Sequence, residues 1–113
     1  MAQVSRLDDV FGALADPTRR AIVERLLVRG ELAAGEIASN FAISFPAISR
    51  HLRVLEAAGL IERRAEAQKR LIRARPQALA PVEDWVARQR AHWDAALDRL
   101  EAVIAAEDPK RRQ

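Results

Sequence analysis

The stretch that decides the fold reads SFPAISRHLRVLEAAG, residues 44–59. Ile48, Leu52 and Leu55 recur at helical spacing and predict a helix with one apolar stripe. Polar and cationic side chains, such as Arg50, fall on the opposite side. We therefore expect a helix that buries one face and presents a short, polar, cationic face outward.

Both ends of this helix are marked in the sequence. Ser44 can accept a hydrogen bond from the backbone N–H of Ala47, and Gly59 can adopt the left-handed conformation that ends a helix. A shorter pattern at residues 34–40 predicts a preceding helix, and residues 41–43 leave room only for a tight turn. This is the pattern of a helix-turn-helix, in which the second helix enters a major groove and the first braces it.

The hydrophobic period changes after Gly59. Two short runs at residues 60–64 and 70–75, separated by the polar stretch 65–69, predict a β-hairpin. An exposed hairpin that follows a recognition helix is a wing. Its tip contains no Gly, so the turn type stays open and a wider loop is an alternative.

Two longer segments resemble the ArsR/SmtB family of dimeric winged-helix repressors. They are ALADPTRRAIVERL at residues 13–26 and GEIASNFAISFPAISRHLRVLEAAGLIERR at residues 35–64. The similarity covers nearly the whole chain and is greatest to the branch without cysteine that carries the ADPTRR and SRHLRVLEAAGL segments. The fold class is thus mainly α with a small β-hairpin wing (α+β), a winged helix-turn-helix.

We expect one domain over the whole chain, because its length and apolar content suit a single modest core. A first helix is predicted from about Ser5 to Ala15, and Asp16 and Pro17 begin a second helix that Gly30 ends. The predicted boundaries are about 34–58 for the helix-turn-helix, about 60–75 for the wing and about 81–106 for a C-terminal helix, within a domain of residues 1–113.

Positive charge is concentrated in one region. Residues 44–75 carry 8 Lys and Arg against 3 Asp and Glu, a net +5, whereas residues 1–43 (5 against 6) and 76–113 (6 against 7) each carry −1. A local cationic patch on a nearly neutral protein is typical of phosphate contact, and a solvated surface is the alternative. Arg19 and Arg20 either reach phosphate or are solvated. The basic tail, residues 108–113, is expected to add weak phosphate attraction.

These patterns predict double-stranded DNA as the partner, with one recognition helix in each half-site of a pseudo-palindrome. Arg50 is the first candidate for base contact, because a guanidinium can bind guanine through two hydrogen bonds. Pro46 and Ala47 are candidates for contact with a thymine methyl. The resemblance places His51 at the base of this contact. The remaining predicted DNA-binding residues, several of which are expected on phosphates, are Ser44, Ser49, Arg53, Arg63, Arg64, Lys69 and Arg70.

The resemblance also implies a homodimer that forms through the first and last helices. Both Trp residues of the chain lie on the last helix, and aromatic side chains bury large areas at interfaces. The alternative is that these apolar residues cover the protein's own core. The predicted dimer-interface residues are Leu7, Phe11, Trp85, Trp93, Leu97 and Leu100.

Several other functions are disfavoured. No catalytic arrangement or phosphate-binding loop is recognisable, so we expect neither an enzyme nor a cofactor. Many relatives sense metal through Cys or through Asp and His residues of the last helix. This chain offers only His92, Asp94 and Asp98; a metal site shared between subunits from these residues is conceivable but disfavoured, since two ligands rarely hold a transition metal. No signal peptide or membrane span is predicted, which fits a cytoplasmic protein.

The function predicted from the sequence is therefore a dimeric, DNA-binding transcriptional repressor. Two alternatives stay open: a winged-helix module that binds an acidic protein, and a metal-responsive repressor. The sequence names neither the operator nor an effector.

Overall fold

The apolar stripe of residues 44–59 forms the predicted helix. The structure, a computed structural model, describes residues 2–107 and the side chains of residues 6–107. The basic tail at residues 108–113, with its expected phosphate attraction, lies outside the described residues. The helices are α1 (Ala2–Ala15), α2 (Pro17–Arg29), α3 (Ala34–Phe41), α4 (Phe45–Ala57) and α5 (Ala80–Glu107), and the strands are β1 (Leu32–Ala33), β2 (Ile61–Glu66) and β3 (Lys69–Ala74).

The recognition helix α4 has the predicted ends and the predicted buried face. Ser44 Oγ accepts a hydrogen bond from the Ala47 backbone N–H at 3.3 Å. Gly59 follows the helix with φ of 78°, in the left-handed region. Ile48, Leu52 and Leu55 are fully buried. The helix is thus held by its apolar face, which leaves the opposite face available for contact.

Arg19 and Arg20 have a role that the sequence did not predict. Arg19 Nε donates to the Ala13 carbonyl at 2.8 Å, and Arg20 Nη1 donates to the Leu14 carbonyl at 2.8 Å. The last carbonyls of a helix lack partners within it and carry partial negative charge. Both side chains therefore cap the C-terminus of α1, which differs from the phosphate contact or solvation that the sequence predicts.

The short helix α3 lacks a side-chain N-cap, as the sequence indicates. Its capping position is occupied by Ala33, but Glu36 Oε1 accepts from the Ala33 backbone N–H at 3.0 Å. Ile37 is fully buried, so packing holds the helix. At the other end Ala42 adopts φ of 52° and ψ of 40°, a left-handed conformation that Gly would adopt more readily. This residue makes the tight turn into α4.

The wing belongs to a small antiparallel sheet in the order β1-β3-β2. Leu32 of β1 pairs with Ile72, and Glu66 pairs with Lys69 next to the turn. β1 was not predicted, because its 2 residues are too few to show a period. The strands reach further toward the tip than expected, and Ala67 takes the positive φ of 54°. The turn is therefore tight, and the wider loop is wrong.

The core lies between α1 to α4 and the sheet. Its fully buried side chains include Ile22, Ile37, Leu52 and Ile72, so every layer contributes an aliphatic residue. The chain divides into two compact units, Met1–Pro81 and Val82–Gln113.

A 3₁₀ helix, Pro76–Leu79, leads into α5, which has 28 residues, none of them buried in the single chain. Because an isolated apolar helix face in water is unfavourable, α5 is expected to need a partner surface.

Candidate nucleic-acid interface

The outward face of α4 carries the residues predicted to contact base edges. Arg50 and Arg53 are exposed, and Ser49, which precedes Arg50, is half-buried. With about 100° of rotation per residue, these three lie within one sector of the helix. Pro46 falls in the same sector, and the N-cap Ser44 is exposed beside it. Ala47 is half-buried on another side of the first turn.

A groove of about 650 Å³ runs between α4, the wing and the start of α3. Ser49 of α4 and Lys69 and Arg70 of the wing tip are among the residues that line it. Two elements predicted to touch the same duplex thus meet along one groove. The other lining residues are Ala33, Ala34, Gly35, Glu36, Phe45, Ile48, Leu52 and Arg63.

Two of the predicted wing cations are held in ion pairs within the protein. Arg63 Nε lies 3.2 Å from Glu56 Oε1 of α4. Arg64 binds Glu31 through two hydrogen bonds and also lies 3.3 Å from Glu66 Oε2. The Arg64 hydrogen bonds hold the pKa of Glu31 below its ordinary value, and the same contact raises the pKa of Arg64. Much of the charge of these two arginines is compensated before any DNA arrives.

Four other cations keep their charge uncompensated. Arg50 and Arg53 of α4 and Lys69 and Arg70 of the wing tip form no ion pair among the residues that the structure describes, and all four are exposed. We call these four residues the open cations. Because they are not paired with a carboxylate, they can bind phosphate or base edges without first breaking an ion pair.

Farther from the wing tip, another acidic residue pairs with two further arginines. Glu62 of β2 accepts a hydrogen bond from Arg73 of β3, and its other oxygen lies 3.5 Å from Arg75 Nε. Glu62 and Arg73 are register partners in the β2–β3 pair, so this cluster joins the two strands. Arg73 and Arg75 are thus paired with an acidic residue within the protein, as Arg63 and Arg64 are.

His51 is half-buried and lies away from the sector of Arg50 and Arg53. The hydrogen bond from the Arg19 backbone N–H, at 3.0 Å, holds the pKa of Asp16 below its ordinary value. The charges of Arg19 and His51 lower that pKa further. His51 is therefore close to the α1–α2 junction, a position that suits bracing of α4.

Phe45 is the residue that sequence reasoning missed. It is 58% exposed, although it precedes Ile48 at the spacing of the buried stripe. Helical periodicity predicts that this residue is buried. It is exposed because it is the first residue of the helix, where the apolar stripe extends past the edge of the core. No periodic signal separates such a residue from a core residue.

The predicted dimer residues are accessible on each unit taken by itself. On α1, Leu7 is half-buried and Phe11 is 40% exposed. On α5, Trp93 is the most exposed of the predicted set, at 66%. Trp85, Leu97 and Leu100 are also exposed, and Val103 and Ile104 extend the same apolar surface toward the end of the helix.

Within residues 2–107, no group of three or more His, Cys, Asp or Glu side chains is placed to hold a metal ion. The same residues include no helix with the length and hydropathy required to span a bilayer.

Comparison with known proteins agrees with this geometry. Residues 14–64 match the family described as a helix-turn-helix domain. The chain is 41% identical over 100 residues to the HTH-type transcriptional regulator Rv2034 of Mycobacterium tuberculosis, a match that covers 88% of this chain and 90% of that protein. An ArsR-like transcriptional regulator from Rhodococcus sp. RHA1 superposes with a TM-score of 0.79 at 30% identity, covering 91% of this chain and 96% of that one.

The chain belongs to the ArsR/SmtB family of winged helix-turn-helix transcriptional regulators. A further ArsR-like structure is the homodimeric winged helix-turn-helix DNA-binding domain Mb0332 of Mycobacterium bovis, with a TM-score of 0.62 at 28% identity and 87% of each chain covered. The sequence resemblance and the predicted fold class are confirmed. This chain contains no Cys and therefore has no thiolate metal ligand.

Proposed function

We propose that the protein is a homodimeric repressor that binds a pseudo-palindromic operator. The observation that carries this proposal is the set of open cations, Arg50, Arg53, Lys69 and Arg70. They come from the two elements of the fold, recognition helix and wing, that flank one groove. Cations grouped on one surface of a nearly neutral protein favour a polyanion.

The contacts divide by role. Arg50 is the base-contacting residue, because its exposed guanidinium can form two hydrogen bonds to the major-groove edge of guanine. Arg53, Lys69 and Arg70 bind phosphates and fix the register of the helix on the duplex. Ser44, Pro46, Ala47 and Ser49 complete the surface of the first turns. Arg63 and Arg64 come to phosphate only to the extent that Glu56 and Glu31 release them.

The dimer supplies the second half-site. The exposed apolar residues of α1 and α5 support an interface in which Phe11, Trp85, Trp93 and Leu97 of one copy meet those of a second copy across a two-fold axis. Two recognition helices held this way match half-sites about one helical turn apart. Such a dimer represses transcription by occupying its promoter. It acts in the cytoplasm and catalyses no reaction.

A footprint on the DNA upstream of the protein's own gene tests this function. We expect protection of two symmetry-related half-sites, at protein concentrations that leave random duplex of equal length unprotected. A protein that protects no region, or all regions alike, is not a sequence-specific repressor. Binding to an acidic protein with no binding to duplex would favour the interaction module. Release of the operator on addition of Zn²⁺, reversed by a chelator, would favour the metal-responsive alternative.

A further inference from the structure

The exposed ring of Phe45 has no role in the function proposed so far. It is 58% exposed at the start of the recognition helix, and apolar surface of this kind is costly to leave in water. Of the large apolar residues that line the groove, Ile48 and Leu52 are fully buried, so Phe45 is the one whose side chain is exposed to a ligand. An apolar contact made on binding would recover this cost.

The position of Phe45 determines what it can touch. Ser49 follows it by one helical turn, about 40° around the helix toward Arg53. Phe45 and Ser49 line the same groove as Lys69 and Arg70 of the wing tip. A duplex whose phosphates are bound by Lys69 and Arg70, and whose major groove receives Ser49, therefore brings base edges to the Phe45 ring.

Only one group on the base edges of the major groove can make an apolar contact with this ring. A phenyl group offers neither a donor nor an acceptor for the hydrogen-bonding edges of guanine, adenine and cytosine. The apolar group in the major groove of unmodified DNA is the C5-methyl of thymine. Pro46 and Ala47 are apolar as well, but they do not line this groove, so their contacts would fall on a different base.

We propose that Phe45 contacts the methyl group of one thymine in each half-site and thereby helps to determine the operator sequence. This inference rests on the proposed DNA-binding function. It predicts that one thymine per half-site is recognised through its methyl group alone, with no hydrogen bond from the contacting side chain.

Replacement of each operator thymine in turn by deoxyuridine tests the proposal, since this change removes only the methyl group. For the wild-type protein we expect an affinity loss of about fourfold at one thymine of each half-site, the factor for one methyl group leaving water. Phe45→Ala, which removes the contact from both half-sites, should bind the parent operator about 16-fold more weakly and should lose nothing more at that thymine. Phe45→Leu, which keeps an apolar side chain, should retain part of the deoxyuridine effect.

Val28→Ala is the matched control, because Val28 is an 83% exposed apolar residue of α2 that does not line the groove. It should show the wild-type pattern of deoxyuridine losses. Circular dichroism and thermal unfolding check that each variant is folded. If Phe45→Ala is unfolded, the comparison is made with Phe45→Leu.

Equal deoxyuridine losses in the wild type and in the Phe45 variants at every thymine would overturn the inference while leaving the repressor intact. A wild-type protein with no preferred duplex would overturn the repressor function and this inference together.

Discussion

Arg64 of β2 donates two hydrogen bonds to the Glu31 carboxylate, from Nε to Oε2 at 2.6 Å and from Nη2 to Oε1 at 2.7 Å. Glu31 immediately precedes β1, so this bidentate contact ties the wing to the segment that follows α2. Charge-assisted pairs of this geometry are stronger than neutral hydrogen bonds. A cation that belongs to the predicted DNA-binding set is thus also part of the scaffold that holds the wing.

The Glu31–Arg64 contact predicts a pH dependence of stability. The Arg64 hydrogen bonds lower the pKa of Glu31, so this carboxylate stabilises the folded state above its ordinary pKa of 4.5 and loses that effect as the pH falls through its lowered value. Glu31→Gln should therefore be less stable than wild type in urea unfolding at pH 7. The difference should shrink steadily below about pH 4. Glu24→Gln, on the exposed side of α2, should show no such trend. If the stability difference between Glu31→Gln and wild type persists unchanged at acidic pH, the ionised Glu31–Arg64 pair does not stabilise the fold.

The distinction between paired and open cations predicts a difference in salt dependence. Lys69→Ala should weaken binding to every duplex and lower the slope of log affinity against log salt by about one. Arg64→Ala should change that slope less, because Glu31 already compensates the charge. Titrations of both variants at several salt concentrations provide the comparison. Equal slope changes would mean that Arg64 leaves Glu31 for phosphate in the complex, and an unchanged slope for Lys69→Ala would remove the wing tip from the interface.

Base recognition is expected to depend on Arg50. Arg50→Ala should weaken operator binding by about 1 to 3 kcal/mol and affect random duplex less, because a bidentate contact to guanine is lost. Arg29→Ala, which removes an exposed cation at the end of α2, is the matched control and should leave the difference between operator and random duplex unchanged. If Arg50→Ala weakens both duplexes equally, Arg50 binds phosphate and another residue contacts the base.

The apolar surface of α5 predicts that dimerisation depends on its tryptophans. Trp93→Ala and Trp85→Ala should each shift the protein toward monomer in sedimentation and weaken operator binding as a consequence. Truncation of a central aromatic residue at an interface commonly costs about 2 kcal/mol or more. Asp98 is exposed and lies about 140° around the helix from both Trp85 and Trp93, so Asp98→Ala serves as the control. A dimer of undiminished stability in both tryptophan variants would place the interface elsewhere.

Features with strong local patterns were predictable from the sequence. The stripe of Ile48, Leu52 and Leu55, the Ser44 cap and the Gly59 terminus all depend on a few neighbouring residues, and all are confirmed. The wing was predictable as a hairpin because the period changes after Gly59. Its tight turn was not, because Ala67 adopts a positive φ that residue preferences alone would assign to Gly.

Contacts between distant parts of the chain could not be predicted. The Glu31–Arg64 pair joins residues 33 positions apart, and no local pattern indicates which acid meets which base. Arg19 and Arg20 cap a helix that precedes them, so their role depends on how α1 and α2 pack. The exposure of Phe45 depends on where the core ends. The sequence therefore indicated the candidate residues other than Phe45, whereas the exposure of Phe45 and the division into paired and open cations required the structure.

The proposed function depends on a fixed spacing between the two recognition helices of the dimer, and operator geometry tests that spacing. The measurement is the affinity of the purified protein for the footprinted operator and for the same operator with about five base pairs, half a helical turn, inserted between its half-sites. We expect the insertion to reduce affinity to that of a single half-site, because a rigid dimer cannot reach both faces of the duplex. Equal affinity for the two duplexes would contradict the fixed spacing.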